Sequence, residues 1–321
     1  MKINWGIIGC GDVTEKKSGP AFNKVNNSSL IAVMRRDKHK AKDYARRHHV
    51  PKWYDDADAL IKDPEINAIY IATPPSTHEQ YTLESISAGK NVYVEKPMTV
   101  NSVSALNMLQ AAKSKNVKLV VAHYRREQPL FKKVKQLLDE KYIGEVISAR
   151  IEYQRKPLTA EELAIPKTAW RVNSSISGGG LFHDIAPHQL DLVVWFFGEI
   201  ERAEGISTNG SVNRDEKVTG NIFFKNGPKF NGHWCFNSAY EKDICEITGT
   251  EGIMSFPIFE HTEIKITKNN QAESLLFMPL EHVQQPMIQA TVNFFMGNGP
   301  NPCSPEEGVK VMELIDLFTA K

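Results

Sequence analysis

The chain has 321 residues, 41% of them hydrophobic and 24% charged, which is typical of an ordinary globular protein with room for two domains of roughly 150 residues. Its 39 basic and 38 acidic side chains leave a formal net charge of +1, which excludes the strongly basic surface of a nucleic-acid or anionic-membrane binder. A strand that starts near Ile3 leaves no room for a signal peptide, no apolar run is long enough to span a bilayer, and the four cysteines lack paired spacing. We therefore expect a cytoplasmic protein with no membrane or nucleic-acid partner.

The N-terminal sequence, from Lys2 to Gly11, reads KINWGIIGCG and predicts an apolar strand that runs into a glycine turn, followed by a helix through Val25. This context is typical of a dinucleotide site, because glycines permit a tight turn and a close approach to a pyrophosphate at a helix N-terminus. Thr14 occupies the third glycine position, so the pattern taken alone also fits a simple tight turn. The predicted cofactor contacts in this turn are Gly9, Gly11, Asp12 and Val13.

Apolar runs then alternate with helical segments up to about residue 123. The runs are Ser29–Met34, Ala68–Thr73, Asn91–Glu95 and Lys118–Ala122, and the helical segments are 37–48, 78–88 and 103–115. Strands that alternate with helices predict an α/β fold, here a Rossmann domain over residues 1–123 with a doubly wound parallel sheet and its ligand at the carboxyl ends of the strands. The candidate cofactor residues at those ends are Thr73, Pro74, His78, Glu95 and Lys96.

The end of the second strand discriminates between the two nicotinamide cofactors. An acidic residue there binds the ribose 2′-hydroxyl of NAD, whereas an arginine accommodates the 2′-phosphate of NADP. Here the strand ends in Met34-Arg35-Arg36, with Asp37 two positions late. A guanidinium can bind a phosphate bidentately, so the sequence favours NADP(H), with NAD(H) as the alternative. Arg35 and Arg36 could also simply face solvent.

From Gly144 onwards the pattern changes to successive strands without intervening helices. They begin with the alternating run Val146–Tyr153 and continue to about residue 268, and helical segments return at 283–297 and 305–319. This order predicts a C-terminal α+β domain over residues 124–321, with a large, mostly antiparallel open sheet and C-terminal helices that pack back.

The segment from Gly178 to Asp191 carries the most chemistry. Three glycines precede Pro187, which is tolerated in the first turn of a helix, and an apolar run follows. On that helix Asp184, His188 and Asp191 fall at i, i+4 and i+7, on one face, as a histidine between two carboxylates. Asp184 could instead be a helix cap, His188 an interior histidine and Asp191 a solvated residue. A metal site that adds His183 is a further alternative, although we expect no metal.

The glycine turn, the ATPPSTH run of Ala72–His78, the Glu95-Lys96-Pro97 turn and the 178–191 segment together resemble the Gfo/Idh/MocA family. That family is named for glucose–fructose oxidoreductase, inositol dehydrogenase and a rhizopine-catabolism protein. The resemblance covers essentially the whole chain, with the motifs in order. It implies an NAD(P)-dependent dehydrogenase or reductase acting on CH–OH groups of a sugar, cyclic polyol or related ketone. It also implies a homodimer or homotetramer formed through the C-terminal sheet.

Hydride transfer at a sugar carbon requires a proton to leave or join the oxygen, for which histidine is well suited, so His188 is the candidate acid/base. Lys96 could stabilise developing alkoxide charge, although a lysine at a strand end is often only a surface residue. The resemblance implies that Lys96 lies beside the nicotinamide and the substrate hydroxyl, and that Asp184 binds or orients the substrate.

Three further residues are predicted to contact substrate: Arg126, Trp170 and Arg171. Trp170-Arg171 is similar to a pair in anhydrofructose reductase and dihydrodiol dehydrogenase members of the family, and an aromatic ring with a guanidinium suits a polyhydroxylated ligand. Trp170 could equally be a core residue. The same resemblance favours Arg126 over Arg125 as the substrate contact.

The oxidoreductase hypothesis requires Lys96 and His188 to act on one substrate carbon. Two alternatives keep the fold: a non-catalytic NADP-binding sensor, and a glycoside-cleaving enzyme that uses the cofactor transiently. A zinc-dependent enzyme is a more distant alternative.

Overall fold

The computed structural model describes residues 2–210, 215–225, 227–260 and 262–320. The chain divides into two compact units. The first unit comprises Met1–Gln128 and Leu280–Met312, and the second comprises Pro129–Pro279 and Glu313–Lys321. The sequence prediction gave residues 124–321 entirely to the second domain, whereas the structure places 124–128 and Leu280–Met312 with the first unit.

Strands and helices alternate through the first half of the chain, and strands dominate the second half. The strands are β1 (Ile3–Ile8), β2 (Ser28–Met34), β3 (Lys52–Tyr54), β4 (Ala68–Ile71), β5 (Asn91–Val94), β6 (Leu119–Val121), β7 (Val146–Gln154), β8 (Ile200–Thr208), β9 (Lys217–Phe224), β10 (Lys229–Cys235), β11 (Lys242–Gly249), β12 (Gly252–Phe256), β13 (Glu263–Lys268) and β14 (Gln271–Leu276). The α-helices are α1 (Asp12–Lys16), α2 (Lys38–Arg47), α3 (Ala57–Ile61), α4 (His78–Ser87), α5 (Ser102–Lys115), α6 (Pro129–Asp139), α7 (Ala160–Ala164), α8 (Pro166–Val172), α9 (Ser174–Ser177), α10 (Leu181–Phe197), α11 (Gln285–Phe295) and α12 (Pro305–Thr319). Short 3-10 helices cover Gly19–Asn23, Pro75–Thr77 and Tyr124–Glu127.

The first unit contains a six-stranded parallel sheet in the order β3-β2-β1-β4-β5-β6. This is the doubly wound order, in which the strand sequence reverses between β1 and β4 and ligands bind at the carboxyl ends beside that switch point. β4 is buried along its whole length, as expected for a parallel strand covered on both faces. The predicted Rossmann fold is confirmed.

The helix predicted from the glycine turn through Val25 is wrong in its length. α1 ends at Lys16, and a 3-10 helix follows at Gly19–Asn23. Gly19 and Pro20 both disfavour a continuous α-helix. Gly19 also lies so close to Thr14 and Tyr44 that a Cβ there would stand 2.2 Å from an oxygen of each.

The segment Leu280–Met312 completes the first unit. The backbone N–H of Val121, in the edge strand β6, donates to the Cys303 carbonyl over 3.1 Å. The Lys118 ammonium donates to the last carbonyls of α11, those of Phe294 (2.7 Å) and Phe295 (3.0 Å). A cation at a helix C-terminus is electrostatically favourable, so these bonds fasten α11 to the sheet.

The second unit contains an eight-stranded sheet in the order β14-β13-β12-β11-β7-β10-β9-β8, in which only the β7–β10 pair is parallel. Residues that are paired across the strands form rows, and because side chains alternate along each strand, successive rows lie on opposite faces of the sheet. One row is apolar: Ala203, Ile222, Phe230, Ala149, Ile247, Met254 and Ile266. The next row is polar: Glu204, Asn221, Asn231, Arg150, Glu246, Ser255 and Lys265. The predicted mostly antiparallel sheet is confirmed, with one apolar face.

Aromatic side chains pack on that apolar face. Phe182 of α10 lies edge-on to Trp234 at 5.2 Å, and Phe131 of α6 lies edge-on to Phe256 at 6.1 Å. At the edge of the sheet, Gly205 of β8 is paired with Gly220 of β9, and the two glycines leave room for the Phe318 ring. A Cβ on Gly205 would stand 2.5 Å from that ring, and a Cβ on Gly220 would stand 2.2 Å from it. In the described part of the chain, no helix is both long and apolar enough to cross a membrane.

Candidate functional site

The glycine turn after β1 is held against two neighbouring strands. The N–H groups of Gly9 and Cys10 donate to the Met34 carbonyl at the end of β2, over 2.9 and 3.1 Å. Gly9 has φ = +94°, and a Cβ there would stand 2.8 Å from Thr73 Cγ2. Only glycine therefore fits, both because of this left-handed conformation and because the turn packs directly on the residue that follows β4.

The second glycine of the turn leaves open space. A Cβ on Gly11 would meet nothing closer than the Gly9 carbonyl oxygen, at 3.8 Å. Thr14, which stands where the pattern has a third glycine, is buried and donates from Oγ1 to the Gly11 carbonyl over 2.8 Å. Asp12 is exposed and Val13 half-buried, at the start of α1. The turn is thus closely packed on the strand side and open beside Gly11, which fits the approach of a pyrophosphate to its backbone.

Arginine rather than a carboxylate stands beside this turn. Arg35 is half-buried, and its Nη1 donates to the Cys10 carbonyl over 3.3 Å. Arg36 is exposed. Asp37 is the N-cap of α2 and accepts from the N–H groups of His39 and Lys40 over 3.0 and 3.1 Å, and these contacts lower the pKa of its carboxyl. The acid nearest to the end of β2 is therefore engaged in capping a helix.

His78 links the turns that follow β4 and β5. One ring nitrogen lies 2.7 Å from the Thr73 carbonyl oxygen and the other 3.0 Å from that of Pro97. The side chain is fully buried, and this burial lowers the pKa of the imidazole. Because both ring nitrogens face main-chain carbonyls, His78 ties the two turns together from inside the protein. The exposed Pro74 and the half-buried Thr73 form the surface of this turn.

Lys96 is half-buried and follows a buried carboxylate. Glu95 accepts from Tyr70 Oη (2.5 Å) and Gln284 Nε2 (2.6 Å) at one oxygen, and from the Lys96 N–H (3.2 Å) at the other. Gly9, Thr73 and Lys96 follow β1, β4 and β5, which are adjacent in the sheet. The structure therefore brings these three predicted cofactor residues to one edge of the sheet.

Arg126 is buried and forms an ion pair with Glu307. Glu307 also accepts from the N–H and Oγ of Ser304, at the start of α12, over 2.8 and 2.9 Å. Burial alone would raise the pKa of the Glu307 carboxyl, but the charge of Arg126 and the hydrogen bonds from Arg126 and Ser304 together outweigh it, and the net shift is downward. In the first unit Arg126 therefore has a structural partner, which the sequence did not indicate.

In the second unit, α10 begins earlier than predicted. Its N-cap is Gly180 and its first residues, Leu181 and Phe182, are buried, so Asp184 lies inside the first turn and is not the cap. Pro187 stands within the helix and not in its first turn. Burial of the apolar residues after the glycines accounts for the earlier start. Asp184 and His188 still share one face.

Arg171 and Asp184 form an ion pair beside Trp170. Arg171 Nε donates to Asp184 Oδ2 over 2.9 Å, with side chains 32% and 16% exposed. The Arg171 guanidinium lies 4.7 Å from the centre of the Trp170 ring. Arg171 also donates to the Lys167 carbonyl. Trp170 is half-buried, so it is a partly exposed aromatic surface that stacks a guanidinium and not a core residue.

His188 is buried, with 7% of its surface exposed, and its ring lies edge-on to Phe259 at 5.7 Å. Phe259 in turn contacts Tyr153 at 5.4 Å and donates its N–H to Asp243 over 2.6 Å. Burial, partly offset by the charge of Arg155, raises the pKa of Tyr153 to about 12. Sequence reasoning missed this aromatic wall, because Phe259 lies outside regular structure and no local pattern marks it.

The remaining polar residues of α10 do not form the metal cluster that was the alternative for this helix. His183 Nδ1 lies 3.9 Å from Asp215, which accepts from Ser207 Oγ over 3.0 Å. Asp191 is 1% exposed, so the solvated alternative is wrong. Within residues 2–210, 215–225, 227–260 and 262–320, no group of three or more His, Cys, Asp or Glu side chains could hold a metal ion.

A family described as "Oxidoreductase family, NAD-binding Rossmann fold" matches residues 3–123, and one described as "GFO/IDH/MocA C-terminal domain" matches residues 131–255. "Oxidoreductase P35" of Formosa agariphila is 50% identical over 317 residues, covering 99% of this chain and 98% of the relative. The 1,5-anhydro-D-fructose reductase of Ensifer adhaerens is 24% identical, covering 95% and 92%.

Among solved structures, a levoglucosan dehydrogenase in complex with NADH superimposes with a TM-score of 0.87. It shares 22% identity and covers 99% of this chain and 97% of its own, so it supports the fold. The trans-1,2-dihydrobenzene-1,2-diol dehydrogenase of Xenopus laevis is 28% identical, covering 93% of this chain and 86% of the relative. With both family domains matched in order and a 50% identical relative over its full length, the chain belongs to the Gfo/Idh/MocA family of oxidoreductases.

Proposed function

We propose that this oxidoreductase favours NADP(H) and transfers a hydride between the nicotinamide and a sugar, a cyclic polyol or a related ketone. The observation that supports it most is the linkage of three turns at one edge of the parallel sheet. Gly9 packs on Thr73, and the His78 ring lies between the carbonyls of Thr73 and of Pro97, which adjoins Lys96. The names of the relatives, which include an anhydrofructose reductase and a dihydrodiol dehydrogenase, support a polyhydroxylated or cyclic substrate.

The cofactor preference is based on the end of β2. The guanidinium of Arg35 lies beside the glycine turn, where it can donate to a 2′-phosphate, and Arg36 adds a second positive charge. Asp37, the carboxylate that could bind a 2′-hydroxyl, already caps α2. A ribose carrying a phosphate is therefore better matched than one carrying two hydroxyls. NAD(H) remains the alternative for the same turn.

When bound, the nicotinamide accepts or gives the hydride. In the oxidising direction the substrate carbon loses that hydride, and the proton of its hydroxyl passes to His188, so a CH–OH group becomes a carbonyl. The ammonium of Lys96 stabilises the negative charge that develops on the oxygen. Asp184 and Arg171 hold neighbouring hydroxyls, as acceptor and donor, and Trp170 offers a face for the ring. In the reducing direction His188 returns the proton.

The test follows the change in nicotinamide absorbance with NADPH or NADP+ over a panel of sugars, polyols and ketones. We expect Lys96→Met and His188→Ala to lower kcat by about 10²- to 10⁴-fold. The matched controls are Lys115→Met, on an exposed lysine, and His233→Ala, on the sheet of the second unit, which should retain activity. Undiminished turnover in His188→Ala would contradict the acid/base role. Cofactor binding without turnover would favour the sensor alternative, and product without net cofactor change would favour glycoside cleavage.

We also propose a cytoplasmic homodimer or homotetramer formed through the sheet of the second unit. On the polar face of that sheet Ile206 and Ile253 are 68% and 41% exposed, and a second copy packed on this face would remove both side chains from water. Light scattering should give a mass that is a multiple of the 36.2 kDa chain, and Ile206→Lys should lower it. A monomer at all concentrations would contradict this proposal.

A further inference from the structure

Gln284 is a fully buried residue of the returning segment, immediately before α11. Its Nε2 donates to Glu95 over 2.6 Å, and its Oε1 accepts from Tyr93 Oη over 3.1 Å. Its own N–H donates to the Lys17 carbonyl over 3.2 Å. Because partners engage both ends of the amide and the main chain, the orientation of this glutamine is fixed. Gln284 is the N-cap residue of α11, but its side chain makes no capping hydrogen bond to that helix.

The carboxylate that Gln284 contacts is the one that precedes Lys96. Two donors, Tyr70 and Gln284, share one oxygen of Glu95, and the other oxygen accepts from the Lys96 N–H over 3.2 Å. A buried carboxylate is costly unless donors satisfy it, so these bonds determine how its oxygens point. Burial and the nearby charge of Glu95 raise the pKa of the Tyr70 hydroxyl, which therefore remains a donor.

We propose that Gln284 is a positioning residue for Lys96 and acts through Glu95. This inference rests on the proposed function, in which the Lys96 ammonium stabilises charge on the substrate oxygen. Without Gln284, one oxygen of Glu95 loses one of the two side-chain donors named above, and the carboxylate is free to turn away from the Lys96 N–H. The backbone at Lys96 then gains freedom, and its ammonium is displaced from the reacting oxygen. Displacements of about 1 Å can cost as much as 10²-fold in rate.

The geometry can be tested without substrate or cofactor, by amide hydrogen exchange of Lys96 in the unliganded full chain. We expect Gln284→Met, which keeps the volume but removes the donor, to speed this exchange by about 10-fold. The matched control is Gln128→Met. Gln128 is also buried, at 1% exposure, but its Nε2 donates to the neighbouring Val283 carbonyl over 3.3 Å. The control should leave Lys96 exchange within about twofold of wild type, because it loosens the same segment without touching the Glu95 contact.

Kinetics supply the second readout. Gln284→Met should lower kcat by about 10-fold or more and leave the Kd of NADPH within about twofold, whereas a general loss of structure would weaken both. Tyr70→Phe removes the other side-chain donor and should act in the same direction, which keeps the test decisive if Gln284→Met does not fold. Equal Lys96 exchange in Gln284→Met and wild type, or equal effects of Gln284→Met and Gln128→Met, would overturn the inference.

Failure of the proposed function is separable from failure of this inference. If Lys96→Met retains full kcat, the role of Lys96 in catalysis is wrong, and the amide exchange of Lys96 still decides whether Gln284 positions it. If Lys96→Met is inactive but Gln284→Met keeps both wild-type kcat and wild-type exchange, only the positioning role is wrong.

Discussion

Replacing Arg35 by alanine tests the cofactor preference directly. The wild-type guanidinium is half-buried beside the glycine turn, 3.3 Å from the Cys10 carbonyl oxygen. A hydrogen bond to a charged group contributes about 1.5–3 kcal/mol, which corresponds to about 10- to 150-fold in an equilibrium constant. Because Arg35 is partly exposed to solvent, the lower end of that range applies, and we expect kcat/KM for NADP+ to fall about 10- to 30-fold.

NAD+ provides the internal control for this variant. Arg35→Ala also removes the bond to the Cys10 carbonyl, and a damaged glycine turn would impair both cofactors equally. We therefore expect kcat/KM for NAD+ to stay within about twofold of wild type. Arg46→Ala, on the 78% exposed arginine at the other end of α2, should change neither value.

Ionic strength adds an independent readout. Between about 0.01 M and 1 M salt the Debye length falls from about 30 Å to about 3 Å, so attraction of the 2′-phosphate should weaken. The KM for NADP+ should rise with salt in wild type and rise less in Arg35→Ala, while the KM for NAD+ changes little in either. A parallel loss for both cofactors, or an unchanged NADP+ value, would refute the reasoning.

Three further predictions concern stability and binding. Gly220→Ala should destabilise the protein by about 1–3 kcal/mol, measured by denaturant unfolding, because the Cβ of the alanine would stand 2.2 Å from the Phe318 ring. The double variant Gly220→Ala/Phe318→Leu should regain part of the lost stability. Hydrogen bonding to Arg47 lowers the pKa of Glu15 from 4.5 to about 2, so the contribution of this carboxylate to stability is present above pH 4.5 and disappears as the pH falls towards 2. The difference in unfolding free energy between wild type and Glu15→Gln should therefore vanish over that interval, and a pH-independent difference would contradict the assignment. His78→Leu removes both contacts to main-chain carbonyls and should raise the Kd of NADPH, titrated by fluorescence, about 10-fold; an unchanged Kd would show that the two turns keep their places without it.

Elements with a strong local pattern were predictable from the sequence, and weakly patterned ones were not. The strands β1, β2, β4, β5 and β6 are mostly apolar, and each lies where the sequence placed it. β3 has only three residues, and β14 reads QAESLL with most of its side chains exposed, so neither carries an apolar period. The short helices α7 and α8 bury no residue and were missed for the same reason.

In the candidate site, too, the contacts within one helix were predictable and the contacts between distant segments were not. Asp184 and His188 were placed together because helical spacing puts positions i and i+4 on one face. The contact between Gln284 and Glu95 joins residues 189 positions apart, and the Phe259 ring beside His188 comes from a loop. No local pattern encodes such partners, because they follow from how distant segments pack. Arg126 illustrates the converse: its position after β6 was readable, but its ion pair with Glu307 was not.

The interrupted course of the first unit has a consequence for biosynthesis. Leu280–Met312, which supplies the partners of Lys118, Val121 and Glu95, emerges from the ribosome about 150 residues after Gln128. At about 5–20 residues per second, the nascent parallel sheet waits roughly 10–30 s with its edge strand β6 uncovered. An unpaired strand edge is a template for wrong pairing, so the nascent chain is exposed to misassembly during this interval. A chain truncated after Pro279 should therefore aggregate, even though it contains all the strands of both sheets described above.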